Sequence, residues 1–176
     1  QQVFGRPRRR RKPKYHPVSA TVRVAVCGVC RLSGSKSGKA GAGVGAWFGR
    51  ESECNLAEPL PLWTRSEPLT RNRADIWASI RALQRTDPGE DVVISTRSRY
   101  VVFGAEGKQT RRVNGDLWRV LQPLQEERWV SWNFVPAAKE NEALAAAEFL
   151  ANEGAALSQT GGRERESKQM GKDPGE

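Results

Sequence analysis

Apolar and polar positions along this chain change period several times, and each change predicts an element. The clearest stretch is residues 91–105, DVVISTRSRYVVFGA. Val92, Val93 and Ile94 form a short β-branched run, the pattern of a buried central strand. Ser95 and Thr96 bring that strand to the sheet edge, and Ser98 is placed to cap a helix opening with Arg99 and Tyr100. Residues 21–27 (TVRVAVC) alternate Val22, Val24 and Val26 against a second face, again a strand. Residues 42–48 (AGVGAWF) read as another, with glycines where a neighbour packs closely. A third strand within residues 55–63 is confined by Pro59 and Pro61 to a sheet edge. The connections are short, so these three predict an antiparallel meander.

From Thr70 the period becomes helical. Ile76, Ile80 and Leu83, with Trp77 alongside, recur at helix spacing over residues 70–84, and Thr70 is the expected cap. Asp87-Pro88-Gly89 turns the chain into the central strand. Beyond the short helix lie a basic link (Lys108, Arg111, Arg112), a helix over residues 116–127 interrupted at Pro123, a fifth strand (residues 129–135, WVSWNFV) and an Ala- and Glu-rich helix over residues 139–157. The order β-β-β-α-β-α-α-β-α predicts an α/β fold. A strand that ends in a polar tip and passes into a helix is where open α/β sheets place their chemistry. Arg97 stands at that tip.

Charge adds an organisation that the pattern does not show. Of the net +9, the first 16 residues supply +7, through Arg6, Arg8, Arg9, Arg10, Arg11, Lys12 and Lys14 with no acid. Residues 1–19 are therefore expected to be a basic disordered arm, residues 20–157 the folded domain and residues 158–176 a disordered tail. Such an arm binds phosphate backbones without reading sequence, serves as a nuclear address, or is simply solvated. No run of eighteen apolar residues exists, so no membrane span is expected. The start has no hydrophobic signal core and no initiator Met, and three Cys make no disulfide framework. An intracellular monomer is the simplest expectation.

Five segments, in order and at matching spacing, carry a resemblance to a known family. They are KAGAGVGAWFG (residues 39–49), TRNRAD (70–75), STRSRYVVFGA (95–105), NGDLWRVL (114–121) and VPAAKENEALAAA (135–147). Together they resemble the ribonuclease H domain, especially the form common in fungal genomes, over roughly residues 21–156. The resemblance implies a five-stranded mixed sheet, three antiparallel strands followed by two parallel ones, flanked by helices. It also implies cleavage of the RNA strand of an RNA–DNA hybrid by two magnesium ions caged by four acids.

Those acids transfer poorly. The first, in the family's T-D-G, falls on Cys27, a poor ligand for a hard cation. The second falls on Asp75 and is still acidic. The third, in T-D-S, falls on Arg97, and the fourth, in E-A-D-x-A-A, on Leu144; a shifted alignment brings Glu148 into that role instead. A magnesium pair about 3.5–4 Å apart cannot be held by one carboxylate. The sequence therefore predicts that Arg97 pairs with Asp75 in the emptied metal site and that no cofactor is used, although the family uses magnesium. The family's His before the closing helix is absent at residues 137–139, and its Trp-containing segment is shortened to EGKQTRRV. Thr70 and Asn72 match family positions that touch the nucleic-acid backbone; the plainer alternatives are a helix cap and a surface amide.

Other signals are set aside. Cys27, Cys30, Cys54 and His16 would need a fortuitous convergence to bind zinc. SGSKSGK (residues 33–39) lacks the strand and helix of a phosphate loop. Trp47, Trp77, Trp118, Trp129 and Trp132 are expected in the core, and Trp63 at an edge. The leading reading is a ribonuclease H-like domain that has lost hydrolysis and keeps nucleic-acid binding through the arm (Arg8, Arg9, Arg10, Arg11) and Thr70, Asn72, Arg97, Arg99, Arg111 and Arg112. The alternatives are an active hybrid endoribonuclease with an atypical metal site, and a protein-interaction scaffold or decayed mobile-element domain.

Overall fold

A computed structural model of the 176-residue chain describes residues 21–31, 41–61, 69–108 and 113–169, with side chains as far as Ser158. The arm, the residue 33–39 loop, His16, Trp63, Arg111 and Arg112 lie outside the described residues.

Nine elements follow the expected order: β1 (Val22–Arg31), β2 (Gly41–Trp47), β3 (Leu56–Pro59), α1 (Arg71–Gln84), β4 (Asp91–Thr96), α2 (Arg99–Ala105), α3 (Gly115–Glu126), β5 (Trp129–Phe134) and α4 (Glu142–Gln169). They build one five-stranded sheet in the order β3-β2-β1-β4-β5. β1 pairs antiparallel with β2, and β2 with β3; β1 pairs parallel with β4, and β4 with β5. The β-branched run does make a central strand, with Val92 and Ile94 fully buried. The Pro-bearing segment makes the edge strand β3, where a missing donor costs nothing.

Each face of the sheet is covered by helix. Val24, Val26, Val44 and Ala46 meet Ile76, Ile80 and Leu83 of α1, with Leu117 and Leu121 of α3 behind. On the opposite face Ala25 and Cys27 meet Leu144, Ala147 and Ala151 of α4. There the glycines of β2 have their reason. A Cβ on Gly43 would lie 2.1 Å from the Ala155 amide nitrogen, and one on Gly45 would lie 2.2 Å from the Ala147 carbonyl oxygen. In α4 itself, a Cβ on Gly154 would lie 2.3 Å from the Glu58 carbonyl oxygen of β3.

Four expectations are corrected. Pro123 sits inside α3 without interrupting it. α4 opens at Glu142, where the Asn141 side chain accepts from the Leu144 amide at 2.9 Å, rather than at residue 139. It continues to Gln169, past Ser158 where a disordered tail was expected; once its packed half is nucleated, the helix extends with no further nucleation cost, through Gly161 and Gly162 to formers such as Arg163, Glu164 and Arg165. Trp129 is 40% exposed, because β5 is an edge strand whose outward side chains have no covering layer. Among the described residues no helix is long and apolar enough to cross a membrane.

Candidate functional site

The site lies where β1 outruns β4. Parallel pairing between the two stops at Ala25 and Ser95, whereas β1 stays paired with β2 as far as Arg31 and Gly41. Cys27 and Gly28 therefore border the crevice beyond the carboxyl end of β4, the position at which open sheets bind ligands. The first turns of α1, the tip after β4 and the start of α4 close round it.

Asp75 is the acid of this crevice. Gly28 has no side chain because α1 lies against it: an added Cβ would fall 2.3 Å from the Asp75 amide nitrogen. That close approach lets the Gly28 N–H donate to Asp75 Oδ1 at 2.7 Å. Asp75 Oδ2 faces the Arg71 guanidinium, one helical turn earlier, at 3.9 Å. Burial pushes the carboxyl up to about 6, against the lowering effects of the Gly28 N–H, the Arg71 charge and the Ser98 hydroxyl. Ser98 is thus doubly used, since its Oγ also accepts from the Val101 amide as the cap of α2.

Cys27 is the residue on which the resemblance places the first family acid. Its thiol is pushed up to about 12 by burial and then by the charge of Asp75, with Glu148 adding in the same direction and Arg71 opposing. At neutral pH it is a buried, protonated thiol, with the Arg71 guanidinium donating toward its sulfur at 4.0 Å. Leu144 is buried against it. Glu148, one turn along α4, is exposed, and its charge reaches Cys27 without the carboxylate entering the crevice floor.

The expected ion pair between Arg97 and Asp75 is not made. Arg97 turns the other way and donates to the Pro136 carbonyl at 2.6 Å and the Lys139 carbonyl at 3.2 Å. A planar fork satisfies two carbonyls of the β5–α4 loop at once, while Asp75 already has Arg71, Gly28 and Ser98. Thr70 is the N-cap of α1, accepting from the Arg73 amide at 3.2 Å, and Asn72 is exposed beside it. Arg99 is exposed, its guanidinium 4.8 Å above the Phe134 ring. The zinc grouping does not form: Cys30 donates to the Leu69 carbonyl and Cys54 to the Arg85 carbonyl, and among the described residues no three His, Cys, Asp or Glu converge to hold a metal ion.

Sequence reasoning missed the residues that hold the crevice in shape. Arg73 is fully buried; its two terminal nitrogens meet both oxygens of Asp116, at 3.1 and 2.6 Å, and one also reaches the Asn114 amide oxygen at 2.9 Å. This fork ties α1 to α3. Its signal was an Arg two positions before the acid, matched by N-G-D at the start of α3. Arg71 was also overlooked, although Arg and Asp four apart on a helix are an ordinary pairing. Arg128 closes the far end of α1 by donating to the carbonyls of Leu83 at 2.7 Å and Thr86 at 2.9 Å.

Fold and crevice together define an α/β class with a mixed five-stranded sheet and a crevice at its strand ends, and comparison with known proteins narrows it. The sequence model of the RNase H family matches residues 21–156, and the chain belongs to the ribonuclease H family. It is 29% identical over 149 residues to a ribonuclease H of Jannaschia sp. (strain CCS1), covering 77% of this chain and 95% of that one. It is 34% identical over 98 residues to a ribonuclease H of Halorhodospira halophila, covering 48% of this chain and 66% of that one. Among solved structures it resembles LC11-RNase H1, isolated from compost by a metagenomic approach, with a TM-score of 0.60, 18% identity and coverage of 79% and 98%. RNase H1 of Halobacterium salinarum NRC-1 gives a TM-score of 0.53 at 22% identity, covering 76% and 96%. At these identities the structural likeness shows the fold alone.

Membership overturns the expectation of no cofactor. The curated relatives are ribonucleases H, the class that uses magnesium, so magnesium is the ion to consider at this site. The donors of this chain do not fit a pair of such ions. Cys27 offers a protonated thiol, Leu144 no donor, Arg97 a cation, and one oxygen of Asp75 faces a guanidinium. Hard magnesium takes carboxylate, phosphate and water oxygens, and two ions need several carboxylates between them.

Proposed function

We propose that this is a ribonuclease H-fold domain that binds the backbone of RNA–DNA hybrid and has lost its hydrolysis. The observation that carries the reading is the surroundings of Asp75: the Arg71 guanidinium faces it, and a protonated Cys27 thiol and Leu144 stand where the resemblance places two further acids, while Arg97, at the third such place, turns away. A dication at Asp75 Oδ2 would oppose that guanidinium at a cost on the order of a few kcal/mol after solvent screening. Binding does not need the lost acids, because backbone recognition rests on cations and exposed amides. Asn72, Arg71 and Arg99 lie on the described surface, and Arg111, Arg112 and the arm at Arg8, Arg9, Arg10 and Arg11 extend the basic set by sequence.

A second reading, an active hybrid endoribonuclease, is favoured by one observation: Asp75 keeps a carboxylate at the crevice, and Glu148 follows Leu144 by one turn on the helix packed over Cys27. One magnesium bound by one or two carboxylates and substrate oxygens would suit that pair. A labelled hybrid incubated with magnesium or manganese separates the two. Hybrid bound but uncut by the native chain, and cut by a Cys27→Asp, Arg97→Asp, Leu144→Asp variant, is the expected result. Cleavage by the native chain that disappears in Asp75→Asn would establish the second reading instead.

A further inference from the structure

We propose that Arg71 is a phosphate-binding residue that takes over, at this crevice, the electrostatic place of a divalent cation. The proposal rests on the hybrid-binding reading above and names the side chain that grips the backbone. Arg71 is the first residue of α1, and that first turn carries no acid. Its guanidinium lies across two of the positions where the resemblance places family acids, with Nε 3.9 Å from Asp75 Oδ2 and a terminal nitrogen 4.0 Å from Cys27 Sγ. Both contacts are long and both lie on the crevice side. The side chain is nevertheless 57% exposed, whereas that of Asp75 is 6% exposed.

A guanidinium has five N–H donors in a fixed fork. With its base held over Asp75 and Cys27, the outer edge of Arg71 is presented to solvent at the α1 N-terminus, beside exposed Asn72. That edge matches two oxygens of a phosphodiester. Two other described arginines of this end of the sheet are committed elsewhere. Arg73 is buried on Asp116, and Arg97 spends both terminal nitrogens on the Pro136 and Lys139 carbonyls. Asp75 then serves to aim Arg71, and the phosphate docks on a fixed cation with no metal between them.

The test is fluorescence anisotropy of a short labelled RNA–DNA hybrid against the full chain, in EDTA and then in magnesium, across a salt series. The native chain is expected to bind equally well in both. Arg71→Ala should bind about tenfold more weakly in EDTA, with a salt slope lower by about one unit. Arg71→Lys should fall between, because it keeps the charge and loses the fork. Thermal melting checks that each variant is folded. Unchanged affinity in a folded Arg71→Ala overturns this inference while hybrid binding stands, as does native binding that requires magnesium. Absence of hybrid binding by the native chain overturns the functional reading together with it.

Discussion

The Gly28 amide donates to Asp75 Oδ1 across 2.7 Å, a bond from a strand edge to the helix packed upon it. It exists because β1 has no β4 partner beyond Ala25 and because α1 comes within contact of a bare Cα. Gly28→Ala puts a methyl 2.4 Å from the Ala74 carbonyl carbon, so α1 must shift as a body. The expected loss is about 2–4 kcal/mol, in the range of severe overpacking. Urea unfolding measures it.

Asp75 makes stability depend on pH in a direction opposite to most acids. Its carboxyl is raised from 3.8 to about 6 in the folded chain, so the folded state binds that proton more tightly than the unfolded one. Its stabilising contribution is complete below about pH 4 and is lost as pH rises through 6, a difference on the order of 3 kcal/mol. Asp116 and Glu58, both held below the ordinary carboxylate range by arginine hydrogen bonds, act the other way and lose stability on acidification. Asp75→Asn keeps an acceptor for Gly28 and carries no charge. It should be more stable than the native chain at pH 7 by about 2–3 kcal/mol, with the advantage vanishing near pH 4. Parallel denaturation curves across that window check it.

Arg73 is the buried cation on which α1 and α3 are joined. Arg73→Ala leaves Asp116 without its fork and Asn114, itself buried, without a donor. Removing one partner of such a pair costs about 3–5 kcal/mol, and the 30% exposure of the Asp116 side chain puts this case near the lower end. Arg73→Lys should recover only part, since one ammonium cannot meet both carboxylate oxygens. Calorimetric melting ranks the three chains.

Arg97 fastens the segment between β5 and α4. In Arg97→Ala the Pro136 and Lys139 carbonyls return to water, and the loop loses its tie to the tip of β4. Both bonds are at the surface, so the expected stability change is about 1 kcal/mol or less. Amide exchange around residues 136–141 should accelerate while that of β4 stays slow.

The basic arm makes a separate prediction. Deleting residues 1–14 removes seven cations, and the salt dependence of hybrid binding should fall by several logarithmic units while the Arg71→Ala ratio is preserved. Anisotropy at stepped salt reads both.

Periodicity made the strands and α1 legible, because Val24, Val26, Ile76 and Ile80 repeat at the spacing of the surface they bury. Motif order gave the family, and of the residues it singled out Cys27 and Leu144 pack in one cluster while Asp75 is bonded to the neighbouring Gly28. The direction of Arg97 was not legible. An arginine spans several ångström, and a pair of backbone carbonyls competes for it with no trace in the sequence. Arg73 escaped for a related reason: its partners stand more than 40 positions away, and a charge among apolar helix residues reads as solvated until α3 is laid over it. Trp129 failed because an edge strand and an inner strand share one alternating pattern.

The glycine-to-alanine contact between β2 and α4 has a consequence for how this crevice can change. Backbone rests on backbone at Gly43, Gly45 and Gly154, so α4 is keyed to the sheet like a notch in a ratchet. Bringing Glu148 to the place of Leu144 would require a slide of four residues along the helix, about 6 Å. That slide would lift Ala147, Ala151 and Ala155 out of the hollows that receive them. The composition of the pocket is therefore set residue by residue: an acid returns there through substitution at position 144, because the helix has no second seat to occupy.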